Sequence, residues 1–213
     1  MTVRIWDLPV RLFHWAIVLL VPALWATHEW EMLDTHILLG EIMLGLVLFR
    51  LTWGVIGAST ARFANFVRGP AAVLRYLKGQ SGTTLGHTPL GALSVVAMLA
   101  LLSVQVGLGL FVSDEDGLNT GPLSHLVSYD SARTVAARHE TMFWILLAVI
   151  VLHVAAILFY LLVRRNNLIG PMVTGTRAPA AGSDEALVAA PWWRLAIAAA
   201  AAACLTWAIV ALL

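Results

Sequence analysis

The sequence predicts an all-α integral membrane protein with five transmembrane helices. Of its 213 residues, 60% are hydrophobic and only 12% are charged, and the mean hydropathy is +0.85. A soluble domain carries about twice that share of charged residues. The apolar residues also form long unbroken runs instead of alternating with polar ones, which favours membrane-spanning helices.

The runs that predict the five helices cover about residues 11–28, 37–57, 90–112, 139–163 and 193–213. The first run resembles a signal peptide because Arg4 and Arg11 precede it. It contains His14, however, and no convincing cleavage site follows, so we expect a retained helix.

One connection has a helical pattern of its own. Residues 70–79 begin with Pro70 and end with Gly79, which is typical of a short helix. Arg75 and Lys78 fall on one side of it, opposite apolar residues. The segment should therefore rest on the membrane surface as an amphipathic anchor.

The distribution of charge predicts the orientation. Lysine and arginine concentrate at the N-terminus and in connections 57–89 and 164–193, whereas the other connections are mainly acidic. The positive-inside rule then places the N-terminus in the cytoplasm and the C-terminus in the periplasm of a bacterial inner membrane. The acidic segment 113–117 would lie outside. Such loops are common there, and docking of a cationic redox partner is the alternative interpretation. The net charge of +1 gives no indication of nucleic-acid binding.

Composition divides the chain into three parts: a domain at 1–172, a linker at 173–192 and an accessory helix at 193–213. The linker is rich in Pro, Gly and Ala, and the last helix carries no polar chemistry. We expect that helix to be an accessory crossing or an oligomer contact. The single cysteine, Cys204, excludes an internal disulfide, an iron–sulfur cluster and c-type haem attachment.

Four histidines form the candidate metal site. His139 and His153 are fourteen residues apart in one apolar run, so on a helix they share a face, about 21 Å apart along the axis. Neutral imidazole is a common haem ligand. By depth, His36 matches His139 near the outside and His14 matches His153 near the inside. Each pair could hold the iron of one haem, although a buried, hydrogen-bonded histidine is the alternative for any one of them.

A fifth histidine, His28, competes with His36. It follows His14 by fourteen residues and so shares its helix face. It could therefore replace His36 as the partner of His139. We favour His36 because Gly40 follows one turn later on the same face, where glycine would let a flat macrocycle approach the backbone.

Two arginines are candidates for binding haem propionates. Arg50 lies fourteen residues after His36, and Arg11 lies three residues before His14. A guanidinium within a bilayer needs an anion, and a propionate accepts bidentate hydrogen bonds. Snorkelling to the headgroups is the alternative for both. His87 and His125 lie in connections and are expected to be solvated, with a possible quinol role for His125.

Several of these residues fall in motifs that carry a family resemblance. The motifs are Asp7–Trp15, the pair His36 and Gly40 continuing to Arg50 and Trp53-Gly54, the pair His139 and His153, and Leu168–Met172. With these the chain resembles the bacterial cytochrome b561 family and the related b-type cytochrome subunit of nickel–iron hydrogenases.

The resemblance implies a four-helix transmembrane core that binds two haem b groups, with the fifth helix outside it. By position, the family's ligands correspond to His14, His36, His139 and His153. It also implies electron relay between membrane quinone and a periplasmic redox protein, such as a c-type cytochrome or a hydrogenase. Two alternatives stay open: an enzyme that oxidises superoxide or quinol directly at the outer haem, and a non-redox membrane transporter or assembly subunit.

Overall fold

Five helices of the computed structural model are long and apolar enough to cross a membrane. The structure describes residues 2–80, 86–178 and 186–212. The five helices are α1 (Leu8–Glu29), α2 (Leu33–Ile56), α5 (Pro89–Gly109), α6 (Tyr129–Leu162) and α8 (Trp192–Trp207), which continues as a π-helix over Ala208–Leu212. The prediction of five apolar helices is confirmed. One boundary was wrong, because α6 begins ten residues before the predicted 139, and His139 therefore lies inside the helix.

Short elements connect these helices. They are β1 (Val3–Arg4), α3 (Phe63–Phe66), α4 (Pro70–Leu77), a 3₁₀ turn at Ser124–Leu126, α7 (Ile169–Thr174) and β2 (Thr176–Arg177). The predicted short helix is confirmed as α4, which begins at its proline and is followed by Gly79 at φ +71°, and its place on the membrane surface stays a prediction. The all-α prediction is confirmed, and in the described part of the chain a single pair of two-residue strands accompanies the helices. β1 and β2 pair antiparallel, because the backbone turns at Gly175 and its carbonyl accepts the N–H of Ile5 at 2.8 Å.

The chain divides into two compact units. The first lies within residues 1–13, 50–97 and 151–198, and the second within 14–49, 98–150 and 199–213. Each of the five long helices contributes residues to both units. The predicted boundaries at 172 and 192 follow composition instead, and they stay predictions.

Hydrogen bonds between segments far apart in the chain help to hold the first unit together. The Asp7 carboxylate accepts the N–H of Val10 at the start of α1 and the indole N–H of Trp53 at the end of α2, at 3.1 and 2.7 Å. Val188 donates its N–H to the Ser59 hydroxyl at 3.0 Å. Val188 belongs to the predicted linker, so the linker is hydrogen-bonded at this residue to the segment that follows α2.

The second unit has an apolar core to which four helices contribute. Met43 and Val47 of α2, Leu102 of α5 and Leu146 of α6 are buried together, and apolar residues of α1 pack against them. Burial of such side chains fixes the faces that α2, α5 and α6 turn toward one another in this unit. Of these helices, α2 and α6 carry candidate ligands described below.

The last helix packs on α2 within the same chain. In the first unit, the Arg194 guanidinium donates to the carbonyl oxygen of Ile56 at 3.2 Å. In the second unit, the Thr206 hydroxyl lies 3.3 Å from where a Cβ on Gly45 would be. Ala198 and Ala202 are buried. Small side chains on α8 thus allow a close intramolecular contact.

Candidate functional site

Two of the predicted ligands meet in the second unit. The ring centroids of His36 on α2 and His139 on α6 are 6.3 Å apart, with their planes at 83°. Nδ1 of His36 lies 2.9 Å from the carbonyl oxygen of Leu24, and Nδ1 of His139 lies 3.0 Å from that of Gln105. A carbonyl oxygen can only accept, so each Nδ1 carries the hydrogen. Each Nε2 therefore has the lone pair that a metal requires.

This separation suits two imidazoles that share one iron. Metal–imidazole bonds are about 2 Å long, so the two nitrogens lie about 4 Å apart and the ring centroids roughly 6 Å apart. Open space lies nearby on α2, since a Cβ added to Gly40 would meet no described atom within 4 Å. The donor set, two neutral histidines held by backbone carbonyls, fits the axial ligands of a b-type haem.

The α5 helix supplies two neighbours of His139 that sequence reasoning did not assign to the site. The Gln105 side-chain nitrogen is 3.1 Å from Nε2 of His139. A Cβ added to Gly109 would lie 3.1 Å from the Cε1 atom of the same ring. Gln105 was not among the predicted site residues, yet a long amide within a strongly apolar helix was a signal that could have indicated a role for it.

His28, the alternative ligand, is also close. Its ring centroid is 6.0 Å from that of His36, with the planes at 59°. His28 is exposed, whereas His36 is half-buried. The structure therefore places His36 in ring contact with both His28 and His139.

The remaining predicted ligands lie in different units. His14 on α1 belongs to the second unit, where its ring stands perpendicular to that of Trp15 at 5.1 Å between centroids. His153 on α6 belongs to the first unit and is half-buried. The pairing of His14 with His153 stays a prediction.

Arg50 lies in a buried cluster of the first unit. Its side chain is 3% exposed, donates to the carbonyl oxygen of Ala61 at 3.3 Å and lies over the Phe63 ring at 4.9 Å. The Phe63 ring packs directly on α2 at Gly54. A Cβ at this position of α2 would overlap the Phe63 ring, so only glycine leaves room for it. The predicted contact of Arg50 with a propionate stays a prediction.

A second charged residue of this cluster is Asp7. Burial raises the pKa of the Asp7 carboxyl, while hydrogen bonds from Trp53 and Val10 and the positive charge of Arg50 oppose that rise. From the sequence alone, Asp7 was notable only as the first residue of the motif Asp7–Trp15. The structure shows that it supplies a carboxylate to the same cluster as Arg50.

Arg11 contacts the end of α7. Its guanidinium donates to the carbonyl oxygen of Val173. The helix ends at Gly175, which has φ +83°, and a Cβ there would lie 2.9 Å from a guanidinium nitrogen of Arg11. Arg11 therefore holds a chain segment, and its predicted contact with a propionate stays a prediction.

The expectation that His87 is solvated was wrong. Its ring packs against Trp6 and Phe66, with centroid distances of 4.6 and 4.5 Å. Burial, with a smaller contribution from the charge of Arg50, lowers the pKa of His87 to about 4. This connection residue is half-buried because Trp6, which follows β1, and Phe66 of α3 bring aromatic rings to it. His125, by contrast, is exposed as expected.

The acidic 113–117 segment forms an ordered loop in the second unit. Asp114 accepts hydrogen bonds from the side chain and backbone of Asn119 and from the backbone of Leu118, which hold the pKa of its carboxyl below the usual range. Glu115 forms an ion pair with Arg133 at 2.9 Å. A cavity of about 300 Å³ is lined by Asn119 and the 31–35 segment, which contributes Glu31 and Asp34.

A family model described as prokaryotic cytochrome b561 matches residues 5–175. The match includes all four predicted histidine ligands and both arginines. The chain belongs to the prokaryotic cytochrome b561 family. Cytochrome b561 proteins are membrane b-type cytochromes of electron transfer and bind b-type haem. No curated protein and no solved structure matches the chain.

In the described ranges, no three residues of the types His, Cys, Asp and Glu converge as a metal site would require. A haem iron held by two imidazoles needs only two histidines, which is the arrangement that His36 and His139 offer.

Proposed function

We propose that this cytochrome b561 family member binds two haem b groups and relays single electrons across a bacterial inner membrane. The electrons pass between membrane quinone and a periplasmic redox protein, such as a c-type cytochrome or a hydrogenase. The N-terminus lies in the cytoplasm and the C-terminus in the periplasm. The surrounding partner is membrane lipid, which the five apolar helices contact.

The observation that carries this proposal is the pair of His36 and His139. The rings are 6.3 Å apart, and each turns Nδ1 to a backbone carbonyl. Such a hydrogen bond fixes the tautomer and the ring orientation and raises the basicity of the other nitrogen. The bound haem supplies the one-electron chemistry. The protein residues hold the axial ligands in place and exclude water from the site.

The inner haem would be held by His14 and His153. His153 follows His139 by fourteen residues on the continuous helix α6, so the two sites are separated by about 21 Å along that helix. Arg50 and Arg11 are the cations proposed to face the propionates of this inner haem. Asp7 already gives the buried Arg50 one carboxylate, and the further N–H donors of its guanidinium are the ones proposed for a propionate.

The redox partner is proposed to bear a positive surface. Glu31 and Asp34 line the cavity of the second unit, together with Asn119. Asn119 also donates hydrogen bonds to Asp114, which hold the pKa of the Asp114 carboxyl below the usual range. Complementary charges of this kind accelerate the encounter of electron-transfer partners. Salt should therefore slow electron transfer to a cationic partner.

Replacing the two competing histidines tests the assignment of the outer ligand. His36→Ala should leave one haem per chain, because one iron loses an axial imidazole. His28→Ala is the matched control, since it removes a ring in contact with His36, and it should keep two haems. The measurement is the haem-to-protein ratio of the purified protein. Two haems in His36→Ala and one in His28→Ala would reverse the assignment.

The exposure of His28 beside His36 favours a second candidate function. An open edge of the site would let a small reductant, quinol or superoxide, deliver electrons without a partner protein. Steady-state turnover of the pure protein with quinone and superoxide separates an enzyme from a relay. Catalytic turnover with these two reactants alone would support the enzyme, and its absence would support the relay.

A further inference from the structure

One residue of α5, Gln105, contacts both nitrogens of a proposed haem ligand. Its backbone carbonyl oxygen lies 3.0 Å from Nδ1 of His139, and its side-chain nitrogen lies 3.1 Å from Nε2 of the same ring. Nδ1 carries the hydrogen, because a carbonyl oxygen can only accept. Nε2 is then an acceptor, and the carboxamide of Gln105 donates to it.

The bond to Nε2 involves the atom that would bind iron. A neutral imidazole has one lone pair in the ring plane, so Nε2 can accept the amide hydrogen or bind a metal but not both. The bond to Nδ1 is different, since it fixes the tautomer that metal binding requires. The two contacts of Gln105 therefore have opposite effects on iron binding.

The carboxamide is held on one side only. Its oxygen, Oε1, is buried and has no hydrogen-bond partner among the residues that the structure describes. A side chain anchored by a single hydrogen bond can rotate away when that bond is broken, and its unsatisfied oxygen gives it no further hold.

We propose that the side chain of Gln105 competes with haem iron for Nε2 of His139 and thereby lowers the haem affinity of the outer site. The backbone carbonyl of the same residue keeps the ring oriented while the side chain is displaced. This inference rests on the proposed function, because it takes His139 as a haem ligand.

The test compares haem affinity with and without the amide. The His153→Ala protein, expected to hold only the outer haem, serves as the background. Gln105→Met replaces the amide by an apolar chain of similar length and leaves the backbone carbonyl in place. The measurement is the equilibrium partition of haem between the purified protein and apomyoglobin, followed by the Soret band.

Gln105→Met should bind haem about fivefold more tightly, the factor that one net hydrogen bond is typically worth. Gln105→Leu should give the same change and provides the test if the methionine variant does not fold. Ser103→Ala is the matched control, because within the described ranges the Ser103 hydroxyl on the same helix donates only to the carbonyl oxygen of Leu99, at 2.7 Å. It should leave the affinity unchanged.

Two results would contradict different claims. Unchanged or weaker haem binding in the Gln105 variants, with one haem per chain in the background protein, would overturn the competition and leave the ligand assignment intact. A background protein that holds no haem or two haems would contradict the proposed function itself.

Discussion

At the scale of single residues, the outer site depends on how closely α5 approaches the ring of His139. Gly109 leaves the space that the ring occupies, and Gln105 binds both of its nitrogens. The ring cannot shift without breaking these hydrogen bonds. The space at Gly109 is therefore expected to control the position of a haem ligand.

Gly109→Ala should weaken haem binding at the proposed outer site. The added Cβ would lie 3.1 Å from Cε1 of His139, and overpacking of this kind costs about 1–3 kcal/mol. We expect the haem-to-protein ratio of the purified variant to fall below two. Gly107→Ala, two residues earlier on the same helix, is the control, since its Cβ would meet no described atom within 4 Å. Equal haem content in the two variants would contradict this prediction.

His87 should make the folded protein sensitive to acid. Its pKa is lowered from 6.5 to about 4, so its neutral form is favoured in the folded state. The contribution to stability is complete above pH 6.5 and is lost as the pH falls through 4, by about 3 kcal/mol. Thermal unfolding in detergent from pH 7 to pH 4 measures this loss.

His87→Phe should flatten that pH dependence, because phenylalanine keeps an aromatic ring against Trp6 and Phe66 but does not titrate. His125→Phe changes an exposed histidine and should retain the slope of the original protein. If His87→Phe retains that slope as well, the burial of His87 does not govern the acid sensitivity.

The sequence predicted the ligand candidates better than their surroundings. His36 and His139 follow from spacing and depth, and the structure brings them together. Gln105 and the burial of His87 did not follow, because both depend on contacts between segments far apart in the chain. Asp7 was visible only as a motif residue, since its bond to Trp53 spans 46 positions.

At the scale of elements, the apolar runs predicted the five long helices, but they did not predict where α6 begins. α6 begins at Tyr129 although its apolar run begins only at 139, because its first ten residues mix charged and polar side chains with small apolar ones and could equally have formed a loop. The short strands β1 and β2 had no sequence signal, since two residues carry no periodicity. α4 was predictable because proline and glycine mark its ends.

The packing of α8 on α2 yields a prediction for the fifth helix. Ala198 is fully buried, so Ala198→Leu should lower the stability by about 1–3 kcal/mol through overpacking. Ala199→Leu is the matched control on an exposed position and should have little effect. Thermal unfolding in detergent compares the two. Equal unfolding temperatures would show that α8 does not pack closely against the rest of the chain.

At the scale of the whole molecule, the proposed function rests on membership of the cytochrome b561 family and on four histidines that lie on three helices. The family match spans 5–175 and so stops before α8. The remaining part of the chain contributes packing and no proposed ligand. The two proposed haem sites therefore depend on α1, α2 and α6, with α5 beside the proposed outer one.

The haem content of the purified protein tests this account most directly. Two haem b per chain are expected, with His139→Ala and His153→Ala each retaining one, because each substitution removes an axial ligand from a different iron. The pyridine haemochrome spectrum gives the ratio of haem to protein. A colourless protein that is correctly folded, or two haems retained in either variant, would contradict the assignment of histidine pairs to two haem sites.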